Sequence, residues 1–196
     1  MHLLLRFRWL RRLVTVPAVY LAVVGLLTLS PVWVLATAFA SQFAPGRWRP
    51  LRLLWMFFLY LALEAAVLAI LFLLWIADGF GIGRRSERSL DRHYRLGAWY
   101  LRRLLGAARR TFNLTTISED DPLHPPDPDR PVLVFSRHAG AGDSMLLVDA
   151  MLNGVPRRRP RVVLKAQLQL DPVVDVLLNR VGAAFVGAPG GGRDEV

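Results

Sequence analysis

The sequence predicts a membrane protein in which a helical hairpin precedes a partial, mostly parallel α/β domain. Two long apolar runs lie within the first 80 residues, and each exceeds the about 20 residues that a helix needs to cross a hydrocarbon core. A basic amphipathic stretch follows them. Beyond residue 131, short apolar strands alternate with helices, which is the pattern of a parallel sheet covered by helices.

Residues 1–80 are predicted to form the hairpin, with helices at about 13–40 and 53–77. The first run holds no charged residue, and the second holds a single one, Glu64. A cleaved signal peptide is the alternative for the first run. Signal peptides have an apolar core of about 7–15 residues, whereas about 28 residues precede the first small-residue cleavage site here. The length therefore favours an uncleaved membrane helix.

The arginines around the hairpin predict that both of its ends face the cytoplasm. Four arginines precede the first run and five follow the second within about 20 residues, whereas the connection holds three. Pro31 and the Pro45–Gly46 pair would also permit a re-entrant hairpin with the same sidedness. A single lysine against 24 arginines is typical of a GC-rich bacterial genome, so the predicted location is the bacterial inner membrane.

Glu64 lies near the middle of the second run, where an ionised carboxylate is costly. One interpretation is that it contacts a lipid or a substrate. The other is that it is protonated and bonded within the hairpin, because polar groups join membrane helices. Its candidate partners are Tyr60, Thr28, Ser30 and Thr37.

Residues 81–112 are predicted to form a basic amphipathic helix. Its leucines and aromatic residues fall on one stripe and its arginines on another, which fits a helix in the membrane interface or one packed on its own domain. Residues 1–110 carry a formal charge of +12, whereas residues 111–196 carry −2. A nucleic-acid-binding protein would carry its basic charge on the folded domain, so the predicted partners are anionic lipid headgroups and not nucleic acid.

The rest of the chain is predicted to contain a connector and a partial α/β domain over residues 132–196. The connector, residues 113–131, holds a strand and a proline-rich segment that cannot continue a helix. The predicted strands of the domain are 132–135, 161–165 and 183–186, and its predicted helices are 144–153 and 171–182. The absence of cysteine excludes a disulfide, a thiolate nucleophile and a cysteine-bound metal.

The segment SRHAGAGD (residues 136–143) is the candidate site, because His138 follows a predicted strand and Asp143 begins the next helix. In open α/β sheets, sites form at the carboxyl ends of the strands. Gly140 and Gly142 permit positive φ, which would let the loop return Asp143 to the imidazole. Asp143 would then accept a bond from Nδ1–H of His138 and leave Nε2 as a general base.

The spacing alone also fits a simpler interpretation, with Asp143 as a helix cap and His138 as an ordinary loop histidine. Other chemistries have less support. The segment lacks the Gly-Lys-Ser/Thr ending of a phosphate-binding loop, and no Gly-x-Ser-x-Gly elbow supports Ser136 or Ser144 as a nucleophile. One histidine and one aspartate are too few ligands to predict a metal site.

A strand that leads into His138, four residues and Asp143 resembles the first block of the glycerolipid acyltransferase family, which includes the lysophosphatidate acyltransferases. The stretch VVLKAQLQLDPVVDVLLNRVGAAFV (residues 162–186) looks like the family's next region. It has Lys165 after a strand, a helix begun by proline, and Gly182 followed by Phe185 and an aliphatic residue.

The resemblance implies transfer of a fatty acyl group from acyl-CoA or acyl carrier protein to a lysophospholipid hydroxyl in phospholipid biosynthesis. It implies no cofactor or metal beyond this acyl thioester. It also implies that His138 is the catalytic base and that Asp143 orients it. The substrate-binding residues that it implies are Arg137, Gly140, Gly142, Lys165, Gly182 and Phe185.

Two departures from the family pattern support an alternative. Ala188 stands where the family has an arginine that is taken to bind the acceptor phosphate, and the other candidates are Arg193, Lys165 and Arg137. The family's later blocks, a Glu-Gly motif and a proline-containing strand, are not among these 196 residues. The alternative expectation is therefore a catalytically inactive, membrane-anchored fragment that binds lipid or acts as a scaffold.

Overall fold

The computed structural model describes residues 7–46, 48–83, 86–117, 131–136, 142–154 and 158–187. The chain divides into two compact units. The first comprises Met1–His93 with Arg161–Val196, and the second comprises Tyr94–Pro160. Most of the described residues are helical, and the two strands among them form one small parallel sheet.

The hairpin of the first unit contains three helices, α1 (Arg8–Thr28), α2 (Ser30–Ala40) and α3 (Arg49–Ala77). α1 and α3 are each long and apolar enough to cross a membrane. The single helix expected over residues 13–40 is interrupted at Leu29, whose ψ of 10° lies outside the helical range. Pro31 then lies in the first turn of α2, where its missing N–H removes no helical hydrogen bond.

Much of the hairpin surface is apolar and exposed. Leu21 and Leu35 are each 71% exposed, and the Tyr20 hydroxyl, which donates to the Ala65 carbonyl (3.0 Å), joins α1 to α3. Further large apolar side chains on this surface are Trp33, Phe39, Phe43 and Phe57. Contiguous apolar surface of this extent is typical of contact with a membrane or a partner.

The second half of α3 has a buried face, which packs on the C-terminal part of the same unit. Its buried residues follow the three- and four-residue spacing of one helix face: Leu61, Glu64, Val67, Leu68 and Leu71. Tyr60 donates a hydrogen bond to Asp171 Oδ2 (2.8 Å), and Arg180 donates one to the Leu71 carbonyl (2.8 Å). Residues 161–187 are therefore fixed along α3.

The predicted strands 161–165 and 183–186 are confirmed, and so is their parallel pairing. They form β1 (Val163–Lys165) and β2 (Ala184–Val186), with Leu164 opposite Phe185. Since parallel strands need a crossover connection, the chain between them has to pack against the rest of the unit.

The crossover contains a 3₁₀ helix (Ala166–Leu170) and a helical stretch whose centre is π-helical (Val174–Leu178). Asp171 caps this stretch, because its Oδ1 accepts a hydrogen bond from the Val174 N–H (2.9 Å). The predicted helix over residues 171–182 therefore exists, but its centre is wider than an α-helix. Single π-helical turns of this kind often occur at functional sites.

The second unit is built on two helices, α4 (Glu87–Phe112), which begins in the first unit, and α5 (Asp143–Asn153). Both were predicted from the sequence. Asn153, the last residue of α5, donates from Nδ2 to the Ala98 carbonyl (3.2 Å) and accepts from Arg102 at Oδ1 (2.5 Å). These two bonds join the end of α5 to the middle of α4.

The central turns of α4 are buried within the protein. Their buried side chains are Tyr94, Leu96, Ala98, Tyr100, Leu101 and Leu104. The exposed arginines of α4 are Arg88, Arg95, Arg102, Arg103, Arg109 and Arg110. Burial on this scale supports packing on the protein over immersion in the membrane interface for the central turns.

The strand predicted at residues 132–135 is wrong. Residues 131–136 have no regular secondary structure, and Leu133 and Phe135 are 78% and 87% exposed. A strand forms only beside a partner, and in the described part of the chain β1 and β2 pair with each other alone. Of the expected α/β domain, the structure shows this strand pair in a mainly helical chain. The described residues of the predicted connector, 113–117 and 131, also contain no strand.

Candidate functional site

The predicted catalytic loop is described only at its end. His138, Arg137 and Gly140 lie outside the described residues. Asp143 is the half-buried first residue of α5, and Gly142 precedes it as the N-cap with φ −92° and ψ −13°. The positive φ expected of Gly142 is therefore not adopted. Asp143 lies in the first turn, where the helix dipole stabilises a carboxylate.

The residues of the second predicted block lie together on the strand pair. Lys165 is the exposed last residue of β1 and stands opposite Val186. Phe185 is half-buried on β2, and Gly182 has a φ of 80° in the turn before β2, a conformation that favours glycine. These three residues belong to the first unit, whereas Gly142 and Asp143 belong to the second.

A basic cleft in the first unit was not predicted from the sequence. It is a half-open cleft of about 780 Å³ between α1, the end of α3, the start of α4 and the segment 161–187. Among the residues that the structure describes, four arginines line it: Arg8, Arg12, Arg161 and Arg180. Its apolar wall includes Val16, Leu68, Phe72 and Trp75. The cleft thus combines a cationic side with an apolar side, as a binding site for an amphiphile requires.

A buried carboxylate holds the start of α1 against this cleft. Asp175, in the π-helical turn, has no exposed surface and accepts from Arg11 at Oδ1 (2.5 Å) and from Arg12 Nε at Oδ2 (2.7 Å). Asn179 Nδ2 also donates to Asp175 Oδ1 (3.0 Å). A charge in a protein interior must be paired and hydrogen-bonded, and Asp175 satisfies this with two arginines. Arg12 remains 36% exposed and lines the cleft.

His93 is the centre of a second polar cluster and is only 2% exposed. Arg180 can only donate hydrogen bonds, so His93 Nε2 accepts from Arg180 Nη1 (2.9 Å). Nδ1–H then donates to the Ser89 carbonyl (2.7 Å). Burial lowers the pKa of His93, and the nearby Arg180 lowers it further, so the imidazole is neutral.

This cluster brings a serine, a histidine and an aspartate together without forming a hydrolytic triad. Ser89 is fully buried, and its hydroxyl donates to Asp78 Oδ2, so its proton points away from the imidazole. Asp78 also forms an ion pair with Arg92. Because both nitrogens of His93 are engaged elsewhere, the imidazole cannot take the Ser89 proton. The cluster joins the end of α3 to the start of α4.

Glu64 is buried, as expected for a residue bonded within the protein. The candidate partner Tyr60 instead gives its hydrogen bond to Asp171 Oδ2 (2.8 Å). Asp171 therefore fixes the crossover to α3 in addition to capping the helical stretch.

Comparison of the sequence with family models and curated proteins, and of the structure with solved structures, finds no match. The function is therefore inferred from this chain's own residues and from their geometry.

The sequence contained one overlooked signal for the basic cleft. Asp175 interrupts the otherwise apolar run VVDVLL (residues 173–178), and an acid on the apolar face of a helix predicts a buried cationic partner. Arg8 and Arg12 were interpreted only as charges that set the membrane topology. Their partners lie more than 160 residues away, at Asn179 and Asp175, so no local pattern could identify them.

Proposed function

We propose that the protein is a membrane-bound acyltransferase of the glycerolipid type. It transfers a fatty acyl group from acyl-CoA or acyl carrier protein to the hydroxyl of a lysophospholipid, with no cofactor beyond the acyl thioester. Its location is the bacterial inner membrane, with the catalytic residues on the cytoplasmic side. The proposal follows from the sequence resemblance around His138, Asp143 and the segment 162–186.

In the proposed reaction, His138 Nε2 takes the proton of the acceptor hydroxyl while the oxygen attacks the thioester carbonyl. The carbon–sulfur bond then breaks, and His138 returns the proton to the leaving thiolate. The products are the acyl ester and the free thiol. No acyl-enzyme forms, which agrees with a chain that contains no cysteine. Asp143 accepts from Nδ1–H and stabilises the imidazolium.

The position of Asp143 is the structural observation that best supports the proposal. It opens α5, is half-buried, and lies five residues after His138 in the sequence. A carboxylate in the first helical turn interacts favourably with the helix dipole. An aspartate that served only as the N-cap would precede the helix, but that position is occupied by Gly142.

The membrane hairpin and the strand pair provide further support. A lysophospholipid stays in the leaflet, so the enzyme has to hold its site at the membrane surface, and the exposed apolar face of α1 to α3 does this. The parallel pair β1–β2, with Lys165 at its end and Phe185 within it, is the nucleus of the proposed α/β acyltransferase domain.

The test is transfer of a labelled acyl group by the full chain in lipid vesicles. Lysophosphatidate is the acceptor, and acyl-CoA and acyl carrier protein are compared as donors. His138→Ala is expected to lower transfer by about 10²–10⁴-fold, the contribution of a general base. Asp143→Asn is expected to lower it at least tenfold. His124→Ala, a histidine of the connector, is the matched control and should not change the rate. Full activity of His138→Ala at equal protein level would refute the proposal.

A second candidate function is that of a non-catalytic, membrane-anchored protein that binds anionic lipid. The observation that favours it is the row of exposed arginines on α4, of which Arg103, Arg109 and Arg110 are examples. Under this function, no lysophospholipid is acylated with either donor. Vesicle association would instead depend on anionic lipid and weaken when these three arginines are replaced by glutamine.

A further inference from the structure

The basic cleft of the first unit has an excess of positive charge. Arg8 contacts the neutral Asn179 Oδ1 (2.7 Å), and Arg12 shares the single carboxylate of Asp175 with Arg11. Arg161 is exposed at its rim. Two acids also line the cleft, Asp78 and Glu87, but Asp78 is already paired with Arg92. The cleft therefore attracts an anion, and its arginines suit the oxygens of a phosphate.

The opposite wall of the cleft is apolar and continues into the lipid-facing surface of the hairpin. Phe72 lines the cleft and is 58% exposed. The next residues on the outer face of α3, Leu73 and Ile76, are also exposed. A small hydrophilic anion would leave this wall uncovered, whereas a phospholipid would place an acyl chain along it. The ligand chemistry is thus that of an amphiphile with an anionic head.

The position of the cleft along the hairpin agrees with the depth of lipid headgroups. Arg8 and Arg12 lie just before the apolar part of α1, and Trp75 lies near the end of α3. Arginines next to a membrane helix bind anionic headgroups, and tryptophan side chains prefer the boundary between hydrocarbon and water. Asp175 and Asn179 hold Arg12 and Arg8 in place, so the cationic side is formed before a lipid binds.

We propose that this cleft holds one intact, two-chain anionic phospholipid of the surrounding membrane, with its phosphate among Arg8, Arg12 and Arg161 and an acyl chain along Phe72. The bound lipid joins α1, α3 and the segment 161–187 at the membrane surface. This inference does not depend on acyl transfer, because it is argued from the described residues of the cleft, and Asp143 is not one of them.

The experiment measures lipid binding to the purified full chain in detergent by native mass spectrometry. Phosphatidylglycerol is the anionic probe, and phosphatidylcholine with the same acyl chains is the zwitterionic one. The double variant Arg8→Gln/Arg161→Gln removes two exposed arginines and leaves the buried Arg11–Asp175 pair intact. Its affinity for phosphatidylglycerol should fall roughly thirtyfold, because each arginine contributes about 1 kcal/mol and every 1.4 kcal/mol corresponds to a tenfold change in affinity.

The matched control is Arg49→Gln/Arg159→Gln, which removes two exposed arginines that are not on α4 and do not line the cleft. This variant should bind phosphatidylglycerol as the unaltered chain does. An equal loss in both double variants would refute the site and indicate general attraction of the basic chain for anionic lipid. Equal binding of phosphatidylcholine by the unaltered chain would refute the role of charge.

Two further measurements distinguish this inference from a site for soluble anions and from the proposed acyl transfer. Inorganic phosphate at 100-fold excess should leave phosphatidylglycerol bound, because it cannot cover the Phe72 wall; displacement would identify a site for soluble anions and overturn the proposal. His138→Ala should abolish acyl transfer and leave phosphatidylglycerol binding unchanged. An unaltered chain that transfers acyl groups but binds phosphatidylglycerol no better than phosphatidylcholine would therefore refute this inference alone.

Discussion

Replacing Asp175 by asparagine removes the carboxylate that Arg11 and Arg12 share. Arg11 and Asp175 are both fully buried, and their atoms lie 2.5 Å apart. Removing one member of a buried ion pair costs about 3–5 kcal/mol, because the remaining charge stays desolvated. Arg12 contributes less to this cost since it is 36% exposed and can turn towards water. We therefore expect Asp175→Asn to lower the free energy of unfolding by about 3–5 kcal/mol.

The assay is denaturant unfolding of the full chain in detergent, followed by tryptophan fluorescence. Asp149→Asn is the control, because Asp149 accepts a hydrogen bond from Asn153 (2.6 Å) at a half-buried position, and its loss should cost about 1 kcal/mol. The double variant Arg11→Met/Asp175→Leu should recover most of the stability, since an apolar pair of similar volume replaces the buried charges. A loss for Asp175→Asn no larger than that of Asp149→Asn would refute the reasoning and indicate that water reaches the pair.

Two more predictions concern the pH dependence of stability and the crossover turn. His93 faces Asp78, Arg92 and Arg180, and its pKa is lowered in the folded chain. Below pH about 6.5, the ordinary pKa of histidine, the unfolded chain therefore binds a proton at this residue that the folded chain does not bind. Stability should thus fall as the pH drops below about 6.5, and unfolding curves of His93→Gln should show a smaller fall. Gly182→Ala should lower the free energy of unfolding by about 1–2 kcal/mol, because alanine is strained at a φ of 80°. The control Gly106→Ala, inside α4, should not destabilise the chain. Equal effects of the two substitutions in unfolding curves would contradict this prediction.

The elements that depend on local patterns were predictable from the sequence. The long apolar runs became α1 to α3, and Asp171 and Gly182 delimit a helical stretch as their capping chemistry predicts. Leu29 shows the limit of this reasoning. The residue before α2 belongs to an unbroken apolar run, and the run's composition gives no sign that ψ leaves the helical range there.

The features that depend on distant partners were not predictable. Residues 132–135 have strand composition, but the partner that would pair with them is not set by their own sequence. His93 has a proton acceptor one turn earlier, at Ser89, and its donor Arg180 comes 87 residues later. A single sequence contains no signal for such a contact. The cleft was not predictable for the same reason, since its lining residues lie far apart in the sequence, from Arg8 to Gly182.

The packing of α3 bears on whether the hairpin crosses the bilayer or enters one leaflet. From Tyr60 onward, one face of α3 is covered by residues 161–187, which include irregular backbone and the charged Asp171. Such backbone does not lie in hydrocarbon. Only residues 49–59 of α3 extend beyond this cover, and 11 residues at 1.5 Å each span about 17 Å, well short of a core of about 30 Å.

The hairpin is therefore expected to enter the cytoplasmic leaflet obliquely, with Leu73 and Ile76 towards lipid. The chain has no cysteine, so a single cysteine at Gln42, exposed in the turn after α2, reports the depth of the tip. A membrane-impermeant maleimide should not label Gln42→Cys in intact spheroplasts, and should label it after detergent is added. Arg109→Cys on α4 should behave in the same way, because the proposed topology places α4 on the cytoplasmic side. Labelling of Gln42→Cys alone in intact spheroplasts would mean that α1 and α3 cross the whole bilayer, since only a spanning hairpin exposes its tip on the far side.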